Sequence, residues 1–349
     1  MSGNLGLKIG LSEYNWQGSV PVFRYAFGLA LVCGVAMISA HLLAYLTPVL
    51  AINLFNPGSK PVGVKSAFFL IVSLFIANLG GMNFSKLFLS TPVVFILLFG
   101  LSLFFIYYLN SLNIILKLWL IVSLLLIPFL SSFMPQIAVA ISIGLMLNLG
   151  IAILCSWVIF AIFPDHRKLE SSAKQKKTGL PLLSPGLTAF RSVLVVLPIV
   201  IIFYSYQLSG SILIMVFVVI LSMNPQTANL KAGGIMIIAN ILGGLLAIIA
   251  YQLICVFPNV IFIMLLTALV GLYCGKHLFS NDPKGAIYGS AFSTYLLVLG
   301  SVLSAESGDA GEKTWDRIIQ ISIAILYVVS AFAFLNEFFF SKYMKSEQS

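Results

Sequence analysis

The segment "LWLIVSLLLIPFLSSFMPQIAVAISIGLMLNLGIAILCSWVIFAIFP", residues 118–164, decides the class of fold because it contains no charged side chain. A helix needs about 20 residues to cross about 30 Å of hydrocarbon, so the segment is too long for one crossing. It therefore predicts two membrane-spanning helices joined by a turn. Residues 192–230 and 232–275 are similarly long and free of charge, and we expect two crossings in each.

The composition of the whole chain agrees with this interpretation. Hydrophobic residues make up 60 % of the 349 positions and charged residues 8 %, against about 45–50 % and about 25 % in soluble proteins. The alternating segments of about ten residues that build a membrane β-barrel are missing from the sequence. Since lipid otherwise leaves only helices to satisfy the backbone, we expect an all-α integral membrane protein. No small-residue cleavage site follows the first apolar run, so the first helix is expected to stay as an anchor.

Pro, Gly, Asn and charged residues mark the breaks between the predicted spans. They predict about twelve transmembrane helices, near 22–41, 43–56, 64–81, 93–109, 114–131, 137–163, 190–207, 210–223, 230–253, 259–275, 285–303 and 314–341. Lys and Arg concentrate on one side when the N-terminus is placed in the cytoplasm, as expected for cytoplasmic loops. We therefore predict a polytopic protein with cytoplasmic N and C termini. The same loops account for the formal charge of +9, so nucleic acid is not an expected partner.

The longest predicted cytoplasmic loop, residues 163–186, divides the chain near its midpoint. Its Ser, Lys, Gly and Pro content is typical of a flexible connector. Its basic residues are also typical of segments that bind anionic lipid or a partner, and that alternative stays open. We expect a first six-helix membrane repeat at 1–163, a cytoplasmic linker at 164–189 and a second six-helix membrane repeat at 190–349.

Short motifs recur between the two halves and predict an internal repeat. The matching elements are "FRYAFG" at 23–28 with "FRSVLV" at 190–195, Asn56-Pro57 with Asn224-Pro225, and "IANLGG" at 76–81 with "IANILGG" at 238–244. Arg24 and Arg191 are 167 positions apart, and the two Asn-Pro pairs are 168 apart. Six spans per half predict a parallel repeat, related by a pseudo-two-fold axis along the membrane normal.

Small residues recur every four positions in the third helix of each predicted half. The two stripes are Ser73, Ala77 and Gly81, and Ala239, Gly243 and Ala247. Such stripes let helices approach closely in lipid. Close packing is the expected role, and the lining of a substrate path is the alternative.

Ionisable residues in or near membrane spans are functional candidates because burying them is costly. Arg24 and Arg191 start corresponding helices, where they either anchor the helix at the interface or attract an organic anion. The candidates for proton coupling or a gate are His41, Asp316, Arg317 and Glu337. Simpler roles are an interfacial histidine, a dipole-compensating Asp316 and a Glu337 that reaches the headgroups.

Known enzyme motifs are missing from the sequence. The three histidines have no metal-ligand spacing with another ligand residue, and no Walker loop, dinucleotide fingerprint or GxSxG is present. We expect no catalysis, metal or cofactor. Four cysteines fall in or beside apolar spans without CxxC spacing and are predicted to be small core residues, namely Cys33, Cys155, Cys255 and Cys274.

The string "NPQTANLKAGGIMIIANILGG", residues 224–244, resembles the fusaric-acid-resistance and aromatic-acid-exporter superfamily (FUSC-like). The resemblance lies in an Arg-opened helix, a short second helix, a Pro-containing hairpin with Ser or Thr and a basic residue, and a glycine-rich third helix. Pro225, Thr227, Lys231 and Gly243-Gly244 fall on the matching positions. The family's Arg before its "GTL" motif is missing in both halves, and its large cytoplasmic domains are reduced to the linker, so the chain looks like a compact, membrane-only branch.

This resemblance implies a bacterial inner-membrane exporter of aromatic or other organic acids. It implies a proton-driven secondary transporter that works with a periplasmic membrane-fusion adaptor and an outer-membrane channel. The candidate pathway residues are Arg24, Arg191, Asn56, Pro57, Asn224, Pro225, Thr227, Lys231, Asn78 and Asn240. An anion channel and a non-transporting assembly subunit are the alternatives, and a homo-oligomer is compatible with each.

Overall fold

The computed structural model describes residues 16–41, 43–88, 90–109, 113–164, 185–206, 212–222, 230–280 and 285–303, with separate positions between 319 and 335. All regular secondary structure in these residues is helical. The helices are α1 Trp16–Ser39, α2 Thr47–Phe55, α3 Val64–Phe88, α4 Pro92–Tyr108, α5 Ile114–Phe133, α6 Pro135–Ile162, α7 Pro185–Tyr206, α8 Ile212–Ser222, α9 Leu230–Val256, α10 Val260–Leu278 and α11 Gly285–Leu303. A 3-10 turn, Ala44–Leu46, precedes α2, and the described positions from 319 to 335 are helical.

The lengths of these helices identify a multi-pass membrane protein. Seven of them are long and apolar enough to cross a bilayer among the described residues, and three shorter apolar segments accompany them. Large side chains on the outer helices face away from the protein: Phe68 on α3 is 71 % exposed and Leu97 on α4 is 67 % exposed. Apolar surface of this kind is what contact with lipid requires. The number of crossings and the side of the termini stay predictions.

Several helix boundaries differ from those expected from the sequence: the first helix begins at Trp16 rather than near residue 22, and the second at Thr47 rather than near residue 43. The third predicted span ends at residue 81, whereas α3 continues to Phe88. Gly80 and Gly81 do not end the helix, because glycines are tolerated in membrane helices where neighbouring helices pack against them. The seventh span begins at Pro185 rather than at residue 190, as suits proline in the first turn of a helix.

The core lies on α1, α2, α5 and α11, whose fully buried side chains include Tyr25, Leu50, Phe129 and Phe292. α1 packs mainly against α10, and α4 packs against α7. Both contacts connect the first predicted half of the chain to the second. The halves therefore share one core, although the sequence describes them as successive repeats.

Glycines set the close approach of two further helix pairs. A Cβ atom on Gly81 would lie 3.3 Å from side-chain atoms of α5, and one on Gly243 would lie 2.1 Å from the Ala291 carbonyl oxygen of α11. α3 packs on α5, and α9 packs on α11. One glycine of each small-residue stripe thus lies at a helix contact, which favours the packing role for these two positions.

The second helix of each predicted half is short. α2 has 9 residues and α8 has 11, which correspond to about 14 Å and about 17 Å, well below the ~30 Å thickness of the hydrocarbon. α2 is buried over most of its length, and the chain before it leaves helical geometry, with φ of 44° at Ala40 and 62° at Leu43. The non-helical chain before α2 is exposed at Ala40 and becomes buried at Ala44 and Leu46, just before α2 begins.

Candidate functional site

Arg24 joins the beginning of α1 to the end of α6. Its side chain is 8 % exposed, and its Nε donates a 2.7 Å hydrogen bond to the carbonyl of Phe163, the C-cap residue of α6. Its guanidinium carbon lies 4.7 Å from the centroid of the Phe160 ring. The cation therefore both compensates the negative end of the α6 dipole and stacks on an aromatic face.

Arg191 occupies the corresponding place in the second half. It is 5 % exposed, and its guanidinium carbon lies 5.2 Å from the centroid of the Phe332 ring. About one turn further along α7, the Val195 carbonyl accepts a 2.8 Å hydrogen bond from the Tyr327 hydroxyl. Each arginine is thus buried against an aromatic ring. Arg24 connects α1 to α6, and Arg191 connects α7 to the segment at 319–335.

The first Asn-Pro hairpin forms a compact turn after α2. The Asn56 amide donates to Asn53 Oδ1 at 2.8 Å, and the Ser59 N–H donates to the Asn56 carbonyl at 3.0 Å. Pro57 is exposed, and Gly58 supplies the positive φ of 79° that the turn requires. The hairpin is tied to α6 because the Trp157 indole donates to the Val62 carbonyl at 2.6 Å.

Several predicted site residues lie outside the described part of the chain. These are Asn224, Pro225 and Thr227 of the second hairpin, with Asp316, Arg317 and Glu337. Lys231 lies in the first turn of α9, and its side chain is likewise outside the description. The proposed roles of all seven stay predictions.

The two candidate asparagines lie between helices. Asn78 on α3 accepts a hydrogen bond from Ser123 of α5 and donates one to the Ser142 carbonyl of α6 at 3.2 Å. Asn240 on α9 accepts from Ser290, at 3.0 Å, and from Thr294, both on α11. Both asparagines are buried. Buried amides of this kind hold membrane helices together, so in this conformation they close the bundle instead of lining an open path.

His41 belongs to a polar cluster at the end of α1. Its Nδ1 lies 2.9 Å from the Ser39 hydroxyl oxygen, and its Nε2 contacts Oδ1 of the fully buried Asn148 on α6. Asn148 also accepts from the Thr47 hydroxyl at 2.6 Å and donates to the Leu43 carbonyl at 3.1 Å. Asn148 therefore fixes the non-helical segment between α1 and α2, a role that the sequence did not indicate.

The hydrogen-bond pattern of this cluster determines where protons can sit. Ser39 has a single hydroxyl proton and donates it to the Ala36 carbonyl at 2.8 Å, so the contact between Ser39 and His41 requires a proton on Nδ1. The Asn148 oxygen can only accept, so its contact requires a proton on Nε2. The described contacts are thus all satisfied by a doubly protonated His41. A neutral ring loses one of them unless Ser39 rotates.

A second polar cluster connects α4, α7 and α8. The Tyr107 and Ser222 hydroxyl oxygens lie 2.7 Å apart, and Ser192 donates to the Ser222 carbonyl at 3.3 Å. The Lys117 ammonium donates to the Tyr107 carbonyl at 3.0 Å. The contact between Tyr107 and Ser222 crosses between the two predicted halves, and the other two hydrogen bonds each lie within one half. Hydroxyl residues scattered in apolar runs gave no sequence signal for this cluster.

The described residues define a helical multi-pass membrane protein in which the sequence-predicted site residues are distributed over separate helix contacts. No protein-family model matches the chain, and no curated protein or solved structure matches it. The resemblance to the aromatic-acid-exporter superfamily stays a prediction.

Proposed function

We propose that this chain is a proton-driven secondary transporter of the bacterial inner membrane that exports aromatic or other organic acids. In this proposal twelve helices form a parallel six-plus-six repeat with both termini in the cytoplasm. The substrate moves between the two halves. A periplasmic adaptor and an outer-membrane channel, which the family resemblance implies, receive it.

The observation that carries the proposal is the short α2 of 9 residues, preceded by backbone that leaves helical geometry at Ala40 and Leu43. Interrupted helices at corresponding positions of two repeats are characteristic of transporter binding sites near the middle of the bilayer. Non-helical backbone at membrane depth is tolerated where protein or a water-filled cavity surrounds it. His41 and Leu43 support this interpretation, since both contact Asn148 of α6 and precede the buried start of α2.

Equivalent contacts support the repeat. α1 packs on α2 as α7 packs on α8, α3 on α5 as α9 on α11, and α4 on α7 as α10 on α1. Asn78 and Asn240 are 162 positions apart, as are Gly81 and Gly243, and all four lie at the α3–α5 or the α9–α11 contact. Such matches in side-chain role are hard to explain unless the halves share one architecture.

The two buried arginines support an anionic substrate. A guanidinium group binds a carboxylate through its planar fork of donors, and each arginine lies beside a phenylalanine that offers a surface for an aromatic ring. The two arginines lie at the same ends of corresponding helices. We assign them to the entry of the pathway on the side where Lys60, Lys65 and Lys117 also lie.

The His41 cluster supports proton coupling. Protonation completes its contacts with Ser39 and Asn148, and deprotonation breaks one of them unless the Ser39 hydroxyl turns away from the Ala36 carbonyl. Because Asn148 holds the segment before α2, a proton on His41 stabilises the present arrangement of that segment. Loss of the proton would release it and couple proton movement to a change in the pathway.

Transport of labelled 4-hydroxybenzoate into proteoliposomes, with and without an imposed pH gradient, tests the proposal. We expect uptake that the gradient accelerates at least tenfold and that Arg24→Lys reduces at least tenfold. Lys60→Arg, at an exposed position of the hairpin, serves as the matched control and should transport normally. Equal rates with and without the gradient would identify an anion channel, and no flux above empty liposomes would favour an assembly subunit.

A further inference from the structure

Three buried hydroxyl groups lie where α1, α10 and α11 meet, and none of them forms a hydrogen bond of good geometry with another described residue. They belong to Tyr25, Thr267 and Tyr295, each of which is 0 % exposed. Buried hydroxyl groups in proteins normally have a partner, and the hydrocarbon around a membrane protein supplies none. Phenylalanine and valine would fill the same space without leaving a polar atom unsatisfied. The presence of three such groups at one contact therefore calls for a functional explanation.

Aromatic rings connect these hydroxyl groups. The Tyr25 and Phe292 ring centroids are 5.4 Å apart, and those of Phe292 and Tyr295 are 5.8 Å apart with planes only 11° from parallel. The Thr267 hydroxyl lies beside both the Tyr295 hydroxyl and the Cys33 thiol, without forming a well-aligned hydrogen bond. We name Tyr25, Thr267, Phe292 and Tyr295 the hydroxyl cluster.

The hydroxyl cluster lies at a contact between the two halves. α1 comes from the first half, whereas α10 and α11 come from the second. Small residues bring α1 and α10 together, since a Cβ on Gly271 would lie 3.0 Å from the Ala26 Cα. A movement of one half against the other would therefore open the cluster, as alternating access requires.

The corresponding contact of α4, α5 and α7 has a different chemistry. It is built from phenylalanines, with the Phe95 and Tyr204 centroids 4.8 Å apart and those of Phe129 and Tyr204 5.2 Å apart. Tyr204 contributes an unpartnered hydroxyl group among these rings, and Ser131 on α5 is another such group among the described residues. The repeat therefore provides two similar contacts, and one of them carries the polar groups.

We propose that the hydroxyl cluster is a binding subsite for an aromatic molecule with a neutral hydroxyl or protonated acid group. The ring of the ligand lies against Phe292 when the halves separate, and its neutral polar group bonds to the hydroxyls of Tyr25, Thr267 and Tyr295. The ligand group is neutral because the described neighbours are hydroxyls, thiols and aromatic rings, which cannot compensate a buried charge. The proposal rests on the transport function and assigns a subsite to its substrate.

Isosteric variants test the hydroxyl cluster in the full-length protein in nanodiscs. Tyr295→Phe and Thr267→Val each remove one oxygen, and Tyr327→Phe is the matched control because its hydroxyl already bonds to the Val195 carbonyl. Binding of labelled 4-hydroxybenzoate is compared with binding of benzoate, and thermal midpoints are measured without ligand. We expect wild-type protein to prefer 4-hydroxybenzoate about tenfold, the effect of one well-made hydrogen bond.

In the two cluster variants the preference should fall below about twofold, while the thermal midpoint stays the same or rises because an unsatisfied oxygen is gone. Tyr327→Phe should lower the midpoint and keep the preference. An unchanged preference in the cluster variants, or a midpoint lowered as in Tyr327→Phe, would overturn the subsite. So would a wild-type protein that binds neither probe or both equally.

The subsite and the transport function can fail separately. Selective binding lost in the variants but without flux in proteoliposomes would leave the subsite standing and overturn transport. Gradient-driven flux of 4-hydroxybenzoate that is identical in wild type, Tyr295→Phe and Thr267→Val would leave transport standing and overturn the subsite.

The rate of alkylation of a nearby cysteine reports whether the ligand binds at the hydroxyl cluster. Cys33 and Cys274 are 1 % exposed in this contact, and Cys255 on α9 is exposed. We expect 4-hydroxybenzoate to slow alkylation of Cys33 by N-ethylmaleimide several-fold, with no effect on Cys255. Equal rates at Cys33 with and without the ligand would contradict binding at the hydroxyl cluster.

Discussion

At the scale of single residues, Asn148 shows how one side chain on a membrane helix can fix the conformation of a neighbouring connection. It is fully buried on α6, and its amide contacts His41, Thr47 and the Leu43 carbonyl. His41 and Leu43 follow the end of α1, and both are bonded to this one side chain. The amide therefore stabilises the connection between α1 and α2.

We expect His41→Gln to remove the effect of the pH gradient on transport. Glutamine can still donate to Asn148, but it cannot gain a proton between the two sides of the cycle. Exchange of 4-hydroxybenzoate down its own gradient should remain within about twofold of wild type, while acceleration by the pH gradient should disappear. Transport assays in proteoliposomes at equal and unequal pH measure both quantities.

His277→Gln is the matched control for this prediction. His277 stacks on Tyr288, with ring centroids 4.3 Å apart, on α10 and away from the end of α1. It should keep the full response to the pH gradient. A His41→Gln protein that still responds would remove His41 from the coupling mechanism and leave Asp316 and Glu337 as the titratable candidates.

The residue roles were less predictable than the residue types. Arg24 and Arg191 were recognisable from their position at the start of apolar helices. Their stacking on Phe160 and Phe332 was not, because nothing in the sequence says which face of α6 meets α1. Asn148 and Tyr295 gave no signal at all, since a lone polar residue in an apolar run has no partner until the helices pack.

At the scale of helices, two adjacent glycines in one helix have different roles: one packs against a neighbouring helix and the other does not. Each third helix of the predicted halves contains two adjacent glycines, of which one faces a neighbouring helix. Gly243 lies against the Ala291 carbonyl and Gly81 against Ile127, whereas Gly80 and Gly244 have no atom within 4 Å of an added Cβ. The matching members are therefore Gly81 and Gly243.

We expect Gly243→Ala to lower the free energy of unfolding by about 1–3 kcal/mol, because its methyl group would collide with backbone that cannot rotate away. Gly81→Ala should cost less, since the neighbouring Ile127 side chain can shift. Gly80→Ala and Gly244→Ala should be neutral or stabilise α3 and α9 by up to about 1 kcal/mol. Thermal midpoints of the four variants in detergent check this order, and a Gly244→Ala protein as unstable as Gly243→Ala would contradict it.

The positions of the helices followed closely from the sequence, but their orientation did not. Lengths of apolar runs and the breaks at Pro, Asn and charges located α4, α5, α10 and α11 within a few residues. Helices that are apolar on every side carry no amphipathic signal. On α4, for instance, Phe99 is buried and Leu97 is exposed, although both are equally hydrophobic.

At the scale of the whole molecule, the two predicted halves pack against each other through contacts that neither half could form alone. α1 packs on α10 and α4 packs on α7, and the Tyr107 hydroxyl meets the Ser222 hydroxyl across the same division. Hydrophobic burial does not drive such contacts in lipid, where shape and hydrogen bonds decide association. The boundary between residues 163 and 190 therefore separates repeats in sequence without separating independent cores.

This arrangement predicts that a chain cut between Glu170 and Ser171 still assembles. Fragments 1–170 and 171–349, co-expressed with a tag on one of them, should co-purify and keep at least half of the transport rate. Either fragment alone should be recovered poorly, because the faces of α1 and α10 would lose their close-packed partner.

Gly271→Val in the second fragment should abolish co-purification, since its side chain would meet the Ala26 backbone and the Phe292 ring at about 3.0 Å. Gly150→Val, at a position with no atom within 4 Å, is the control and should not. Fragments that are stable and transport separately would show that each half is a complete unit, and the pathway would then have to lie within a half instead of between the two.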